Sequence, residues 1–480
     1  MFRVVSYNIF ARSLGSNCIP WAISVSGEWR ERVESRVMQT WNDWVKTTLS
    51  PEYKAHFHKN YCSGSKDAMR LLWSKSITSP DDIPHQLTGV SFVAPNSVEY
   101  KKLNKSTGGY DNVIATTLHG MLTKHIPDIS NDLYQHIIDK DQYFQWETRG
   151  PKIFSVVTSY DEDMNCAPDI VALSEYDVHD APATVYTPGH REERFPEAMA
   201  RAGYAGGLFS APKISDCNGI GVFWRRDVFS LAGDCSRNEE SIVLLPGDRR
   251  AGAINVDLHE HWHRLYAGQC SGKLEEMPEQ DRRNAGAVRL VHNPSGREVL
   301  VVFAHLMTES RDCAATNEYV GEVRAGELHN ISKLVAEHLT EYPHTRAALL
   351  VGDFNIDVRE REMLCGRLRS HLTQKSMTVS TGFDDSYDPL NPSIVYAGKE
   401  RVLRLQEAFT SLHQWGAGIG YDKYCTSFTS NRCKWIDMIW HTPDTLRVER
   451  LSDMRCPESF IPNQQHGSDH LPLSAVFRFL

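Results

Sequence analysis

Ala347-Ala348-Leu349-Leu350-Val351-Gly352 runs for six residues without a polar side chain, then delivers Asp353 and, two residues on, Asn355. A short apolar run without polar alternation reads as a strand buried on both faces. A polar group at its end stands at the rim of a sheet. The same construction recurs. Phe2-Arg3-Val4-Val5-Ser6-Tyr7 runs into Asn8, and Asp169-Ile170-Val171-Ala172-Leu173-Ser174 into Glu175. Val299-Leu300-Val301-Val302-Phe303-Ala304 delivers His305, Trp435-Ile436 reaches Asp437, and Gly467-Ser468-Asp469-His470-Leu471-Pro472-Leu473 lies near the C-terminus. These six rims supply four carboxylates, two amides and two imidazoles. That is the composition of a hydrolytic site built around a hard cation. Singly, each residue has a plainer explanation as a helix cap, a turn former or a structural histidine. The conjunction of six decides otherwise.

The bulk composition narrows the classes of function. A chain of 480 residues can bury one large core or two ordinary ones. A net charge of -9 argues against a broad basic surface that grips nucleic acid regardless of sequence. Eleven cysteines without a CxxC pair read as scattered thiols and point to a reducing compartment. No apolar run approaches the ~20 residues of a membrane span, and a first strand opening at Phe2 leaves no room for a cleavable leader. The expected location is intracellular and cytoplasmic, with the nucleus as the alternative.

Asn8 and Glu175 are separated by about a third of the chain, yet both belong to one site. Trp29, Val33, Val37, Trp41 and Val45 recur every four residues, which predicts a helix at the start of this gap. Residues 20–145 are expected to be an insertion within a single 1–480 domain, forming a lid, a side lobe or a surface embellishment. Asn218-Gly219-Ile220-Gly221-Val222-Phe223-Trp224 is a further buried strand. Asn293-Pro294-Ser295-Gly296 is a hairpin turn between two more. Apolar spacing predicts a helix over 318–341, and the alternation of strands and helices predicts a mixed α/β sandwich.

Phosphodiester hydrolysis needs a cation against the phosphate, an activated water, and donors for the charge that builds up in the transition state. Glu175 suits a Mg²⁺ ligand, with Mn²⁺ as the alternative ion. Asn8 orients a carboxylate or a metal-bound water without adding repulsion. Asp469 serves a second metal or its waters. Asp353 is expected to position or deprotonate the attacking water, and Asn355 to donate to a phosphate oxygen. Asp437 pairs with His470, fixing its tautomer and raising its basicity. His305 gives another donor for the scissile phosphate.

Ser6-Tyr7-Asn8, Ser174-Glu175-Tyr176, Ala304-His305-Leu306, Gly352-Asp353-Phe354-Asn355, Trp435-Ile436-Asp437 and Ser468-Asp469-His470 resemble, in order, the endonuclease/exonuclease/phosphatase superfamily. Ser6-Tyr7-Asn8-Ile9-Phe10 and Ser468-Asp469-His470-Leu471-Pro472-Leu473 look most like its deadenylase branch, the carbon-catabolite-repressor-type, nocturnin and Angel-type proteins. The resemblance implies a four-layer α/β sandwich of the deoxyribonuclease I type, carrying a large insertion after the first strand. It also implies Mg²⁺-dependent phosphoester cleavage. Asn218 and Arg324 are expected to bind substrate. The chain departs from the branch in Ala304, in Glu327 three positions after Arg324, and in Asn431-Arg432-Cys433-Lys434, where an aromatic that stacks on adenine is usual. Trp435 and Phe428 are the candidate substitutes.

Two decoys are set aside. His259-Glu260-His261-Trp262-His263 matches the HExxH zinc string, but the glycines that follow make poor helix. Asp161, Asp163 and Asn165 open like a calcium loop, yet Cys166 and Ala172 stand where Gly and Glu are required. The function expected is a Mg²⁺-dependent phosphodiesterase acting as a 3′–5′ exoribonuclease on RNA. The alternatives are an enzyme for a small phosphoester (a nucleotide, inositol phosphate or phospholipid) and a catalytically silent RNA-binding or scaffold protein.

Overall fold

The computed structural model describes residues 1–10, 143, 146–176, 194–209, 219–233, 242–250, 252–258, 283–307, 316–357, 393–396, 401–409, 424–429 and 432–480. The helix expected over residues 29–45, almost all of the 20–145 insertion, the HExxH string and Asn218 lie outside them. Internal contacts divide the chain into two units. One is Met1–Ala11, Arg149–Phe428 and Arg432–Leu480, and the other is Arg12–Thr148 with Thr429–Asn431. The site lies in the first.

Two sheets carry that unit. The seven-stranded sheet has the order Leu446–Leu451, Leu473–Phe479, Phe2–Asn8, Ile170–Ser174, Ile220–Arg225, Tyr204–Phe209, Ile242–Leu244. Phe2–Asn8 is an interior strand, parallel to Ile170–Ser174 and antiparallel to Leu473–Phe479. The eight-stranded sheet runs Gln406–Glu407, Asp437–His441, Ala347–Asp353, Arg297–His305, Asn284–His292, Ala253–Asp257, Arg249–Arg250, with Phe229–Leu231 added on Asn284–His292. The expected hairpin turn joins two of these strands: the N–H groups of Ser295 and Gly296 both donate to the His292 carbonyl.

The period of two in a strand sorts the side chains into layers. Phe2, Val4, Ile170, Ala172 and Val222 from one sheet meet Val299, Val301, Phe303, Leu349, Val351 and Ile439 from the other in one buried core. Leu300, Val302, Ala348 and Leu350 face the opposite way, onto Leu328, Ile331, Leu334 and Val335. Those four belong to the helix Thr316–Glu341, which covers the stretch expected from spacing. On the far side of the seven-stranded sheet, Phe195 of the helix Phe195–Arg201 packs edge-on to Tyr176 at 5.7 Å and near Phe223 at 6.1 Å. Phe154, on the helix Trp146–Thr158, closes on Phe195 at 6.1 Å. The result is helix, sheet, sheet, helix: a four-layer α/β sandwich.

Gly352 fixes the register at the functional end. Its φ is +145°, and a Cβ there would meet the Ala304 carbonyl oxygen at 1.9 Å. Only glycine lets these two parallel strands approach. With that contact made, His305 pairs with Asp353 and Asp353 with Asp437 across three neighbouring strands. Among the described residues no helix is long and apolar enough to cross a membrane.

Candidate active site

The alternation that buries Val299, Val301 and Phe303 between the sheets also turns His305 inward, and the same holds for Asp353 after Leu349 and Val351. Asn8 follows Phe2, Val4 and Ser6 on the inner face of the other sheet. Polar ends of both sheets therefore meet at one rim of the sandwich. His305, Asp353, Asp437, His470 and Asn8 are all buried there, each at 2% exposure or less.

Asn8 ties the sheets together. Its Nδ2 donates to Glu175 Oε1 at 3.1 Å and to Asp353 Oδ2 at 2.9 Å, and its Oδ1 accepts from the Phe10 N–H at 2.9 Å. The amide thus bridges two carboxylates without adding charge. Asp353 Oδ1 accepts the Asn355 backbone N–H at 2.9 Å, and Asn355 Nδ2 donates to the Leu306 carbonyl at 2.9 Å. Glu175, Asn355 and Phe10 each have φ between 52° and 56°. That is the left-handed region, sparsely used by non-glycine residues and costly to hold. Three of them flank three strand ends at one site, and each turns the chain just after the rim residue it serves.

His470 Nδ1 lies 2.7 Å from Asp437 Oδ2, and its Nε2 lies 3.8 Å from Asp353 Oδ2. Burial works against charge on this ring, but Asp437, Asp469 and Asp353 prevail and raise its pKa to about 9. Burial, with Asp437 second, pushes the Asp353 carboxyl above its usual range, and His470, Asn8 and the Asn355 N–H pull the other way. His305 Nε2 stands 3.7 Å from Asp353 Oδ2. Burial, Arg283 and His470 hold this second ring well below the ordinary histidine pKa, hence neutral. Neither of its nitrogens has a hydrogen-bond partner among the described residues, nor does Asp437 Oδ1. Buried polar atoms left this way are costly. One ligand atom each from Asp353, Asp437 and His470 falls within 4.8 Å of the others.

Other expected residues fall as follows. Asp469 receives Arg432 Nη2 at 2.6 Å, and the same nitrogen is 3.4 Å from His470 Nε2. That second contact is a hydrogen bond only while Nε2 carries no proton. Arg324 is buried and donates from Nε to the Met307 carbonyl at 2.8 Å, while Glu327 accepts the Met307 N–H at 3.1 Å. Both brace the loop that follows His305. Trp435 is corrected as a base-stacking candidate: it is 3% exposed in the core between the sheets, with its ring edge-on to Phe409 at 5.2 Å. Phe428 is half-buried and packs on the exposed Phe460 at 5.1 Å.

Several contributors carry no signal in the sequence. Arg149, fully buried, donates to the Ile9 carbonyl at 2.8 Å and the Gly467 carbonyl at 3.2 Å, so it binds the segments after Asn8 and before His470. Ser468 Oγ donates to the Asn8 carbonyl at 2.6 Å. Thr426 Oγ1 accepts both the Ile436 and Asp437 N–H groups, at 2.9 and 3.1 Å. These hold the rim together through backbone oxygens and nitrogens, a role open to almost any sequence position.

A fold and a rim of this kind define a class. Residues 144–470 match the model of the Endonuclease/Exonuclease/phosphatase family, and the chain belongs to that family. Among characterised proteins it is similar to the CCR4-Not complex 3′-5′-exoribonuclease subunit Ccr4 of Saccharomyces cerevisiae, with 21% identity over 449 residues. That alignment takes in 86% of this chain and 46% of the yeast protein, so the chain spans about half the length of the relative it matches. Among solved structures it is similar to the human Nocturnin catalytic domain with bound sulfate, at 17% identity and a TM-score of 0.38, covering 65% of this chain and 82% of that one. It is also similar to ANGEL2, a 2′,3′-cyclic phosphatase in complex with adenosine-2′,3′-vanadate. There the identity is 14% and the TM-score 0.44, over 70% of this chain and 88% of that one.

Proposed function

We propose that this chain is a Mg²⁺-dependent 3′–5′ exoribonuclease of the deadenylase type. The observation that carries the reading is the convergence of Asn8, Glu175, Asp353, Asp437 and His470, from opposite ends of the sequence, on one buried rim. The carboxylate oxygens there, with no sulfur among them, suit a hard cation, and the His305 nitrogens and Asp437 Oδ1 are buried without a hydrogen-bond partner among the described residues. Glu175 would hold the ion, with the Asn8 amide beside it at 3.1 Å and Asp469 serving a second ion or its waters. When bound, the ion supplies Lewis-acid stabilisation of the phosphate charge.

The chain's own groups divide the remaining work. Asp353, its carboxyl raised by burial, takes the proton of the attacking water, and the Asn8 and Asn355 N–H groups fix its orientation. His470, kept charged by Asp437, donates to a phosphate oxygen from Nε2, and Arg432 shifts from that nitrogen wholly onto Asp469. His305 gives a neutral donor on the other side. Asn355 spends one N–H on the Leu306 carbonyl and keeps the second for phosphate. The 20–145 insertion is a lid or side lobe in this reading, and the setting is intracellular.

A second reading keeps this chemistry and changes the substrate to a small phosphoester, which the net charge of -9 favours. Labelled oligo(A), mixed RNA and a panel of soluble phosphoesters, each assayed with Mg²⁺ and with EDTA, separate the two. Shortening of oligo(A) from its 3′ end with Mg²⁺ alone is expected. Asp353→Ala should lower the rate by about 10²–10⁴-fold. Wild-type activity in that variant would remove the general-base role.

A further inference from the structure

A second cluster of chemically active side chains lies outside the rim. Cys456 Sγ is 3.0 Å from Cys425 Sγ and 3.7 Å from Cys433 Sγ, and all three sulfurs fall within 4.8 Å of one another. They come from three segments: the stretch leading into Ser427–Thr429, the middle of Arg432–Lys434, and the loop after Leu446–Leu451. Backbone bonds hold these segments in place. Cys425 N–H donates to the Met454 carbonyl at 3.2 Å and Thr426 N–H to the Lys434 carbonyl at 2.9 Å, while Tyr424 bridges to Arg455. Cys425 is buried in the core between the sheets, and the other two are half-buried at its edge. The cluster is therefore rigidly mounted yet open to small ions from solvent.

We propose that Cys425, Cys433 and Cys456 form a binding site for one thiophilic divalent cation of the Zn²⁺ or Cd²⁺ class, separate from the carboxylate site. A Zn–S bond of about 2.3 Å in a tetrahedron places neighbouring sulfurs about 3.8 Å apart. Cys433 and Cys456 already stand at 3.7 Å, and Cys425 reaches that spacing from Cys456 by moving under ~1 Å. Soft thiolate donors select such ions over Mg²⁺. Burial pushes the Cys425 and Cys456 thiols up, so a cation must displace their protons. Three S–H bonds give three sulfur–metal bonds and three protons to solvent, leaving a fourth position on the ion. A disulfide would join only two of the three sulfurs, and convergence of three is more than a pair requires.

The test is titration of the full, reduced chain with Cd²⁺ in excess Mg²⁺, which occupies the hard-ligand site. One equivalent should give the near-ultraviolet thiolate-to-metal absorption and slow alkylation of the peptides holding Cys425, Cys433 and Cys456. Each single Cys→Ser variant should bind Cd²⁺ at least about tenfold more weakly, because one of three thiolates is lost. Glu175→Gln should leave the band unchanged. No band in reduced wild type, or a band that persists in the triple serine variant, overturns the proposal. The wild-type titration decides even if a variant fails to fold.

Discussion

Asn355 separates backbone from chemistry within one residue. Its φ of 52° suits Asn and Gly and penalises Ala. In urea unfolding, Asn355→Gly should cost only the bond to the Leu306 carbonyl, about 0.5–1.5 kcal/mol, and Asn355→Ala should lower stability by about 1–2 kcal/mol more. Both should lose most of the hydrolytic rate, because both lack the amide. Equal activity in the glycine variant would leave the residue a purely conformational role. Asp437 invites a parallel test. Asp437→Asn keeps the shape but cannot hold His470 charged, so kcat should fall by about 10²-fold or more with little change in KM. Asn8, Glu175, His305 and Asp353 were legible because each ends an apolar run, while Asp437 and His470 stand just ahead of one. Arg432 was not, since nothing local marks an arginine in a hairpin strand as the partner of Asp469. Trp435 shows the opposite error. An aromatic two residues before Asp437 looks like a stacking platform until the fold buries it in the core between the sheets.

Thr426 acts on a whole element. Its hydroxyl receives the two backbone N–H groups at the start of Asp437–His441, and its carbonyl receives the Leu471 N–H at 2.7 Å. Thr426→Val would strand two buried donors, at roughly 1–3 kcal/mol each, and loosen both members of the Asp437–His470 pair. Thermal melts should show that loss, and Thr426→Ser should restore both stability and rate. A valine variant with an unchanged melt would show that water or a neighbouring group takes over the donors. Elements that lie in a sheet were readable from apolar runs, and the helix Thr316–Glu341 from its spacing. The short strands Ser427–Thr429 and Arg432–Lys434 carry no run of their own. They are defined by what they hold in place, which a linear pattern does not encode.

The molecule as a whole stores a dependence on pH. Burial lowers His338 and His441 to about 4 each, with Arg289 helping at His338 and the Gln406 backbone opposing at His441. The folded pKa lies below the ordinary histidine value of 6.5, so between these values the unfolded chain binds more protons. Stability from these two groups is full above pH 6.5 and drains away as pH falls towards 4, by up to ~3 kcal/mol per histidine. His470, raised to about 9, acts in the opposite sense, its share present below pH 6.5 and lost above 9. Urea midpoints at pH 7 and 4.5 should differ by this drain, and a His338→Gln, His441→Gln double variant should flatten it. An undiminished pH response in that variant would assign the effect elsewhere.

Phe2–Asn8 has Leu473–Phe479, made much later in translation, as one of its two neighbours. At roughly 5–20 residues per second, the earlier strand spends on the order of half a minute or more of translation with an apolar flank unmatched. Phe2–Asn8 therefore completes its antiparallel pairing only after the chain between the two strands has been made.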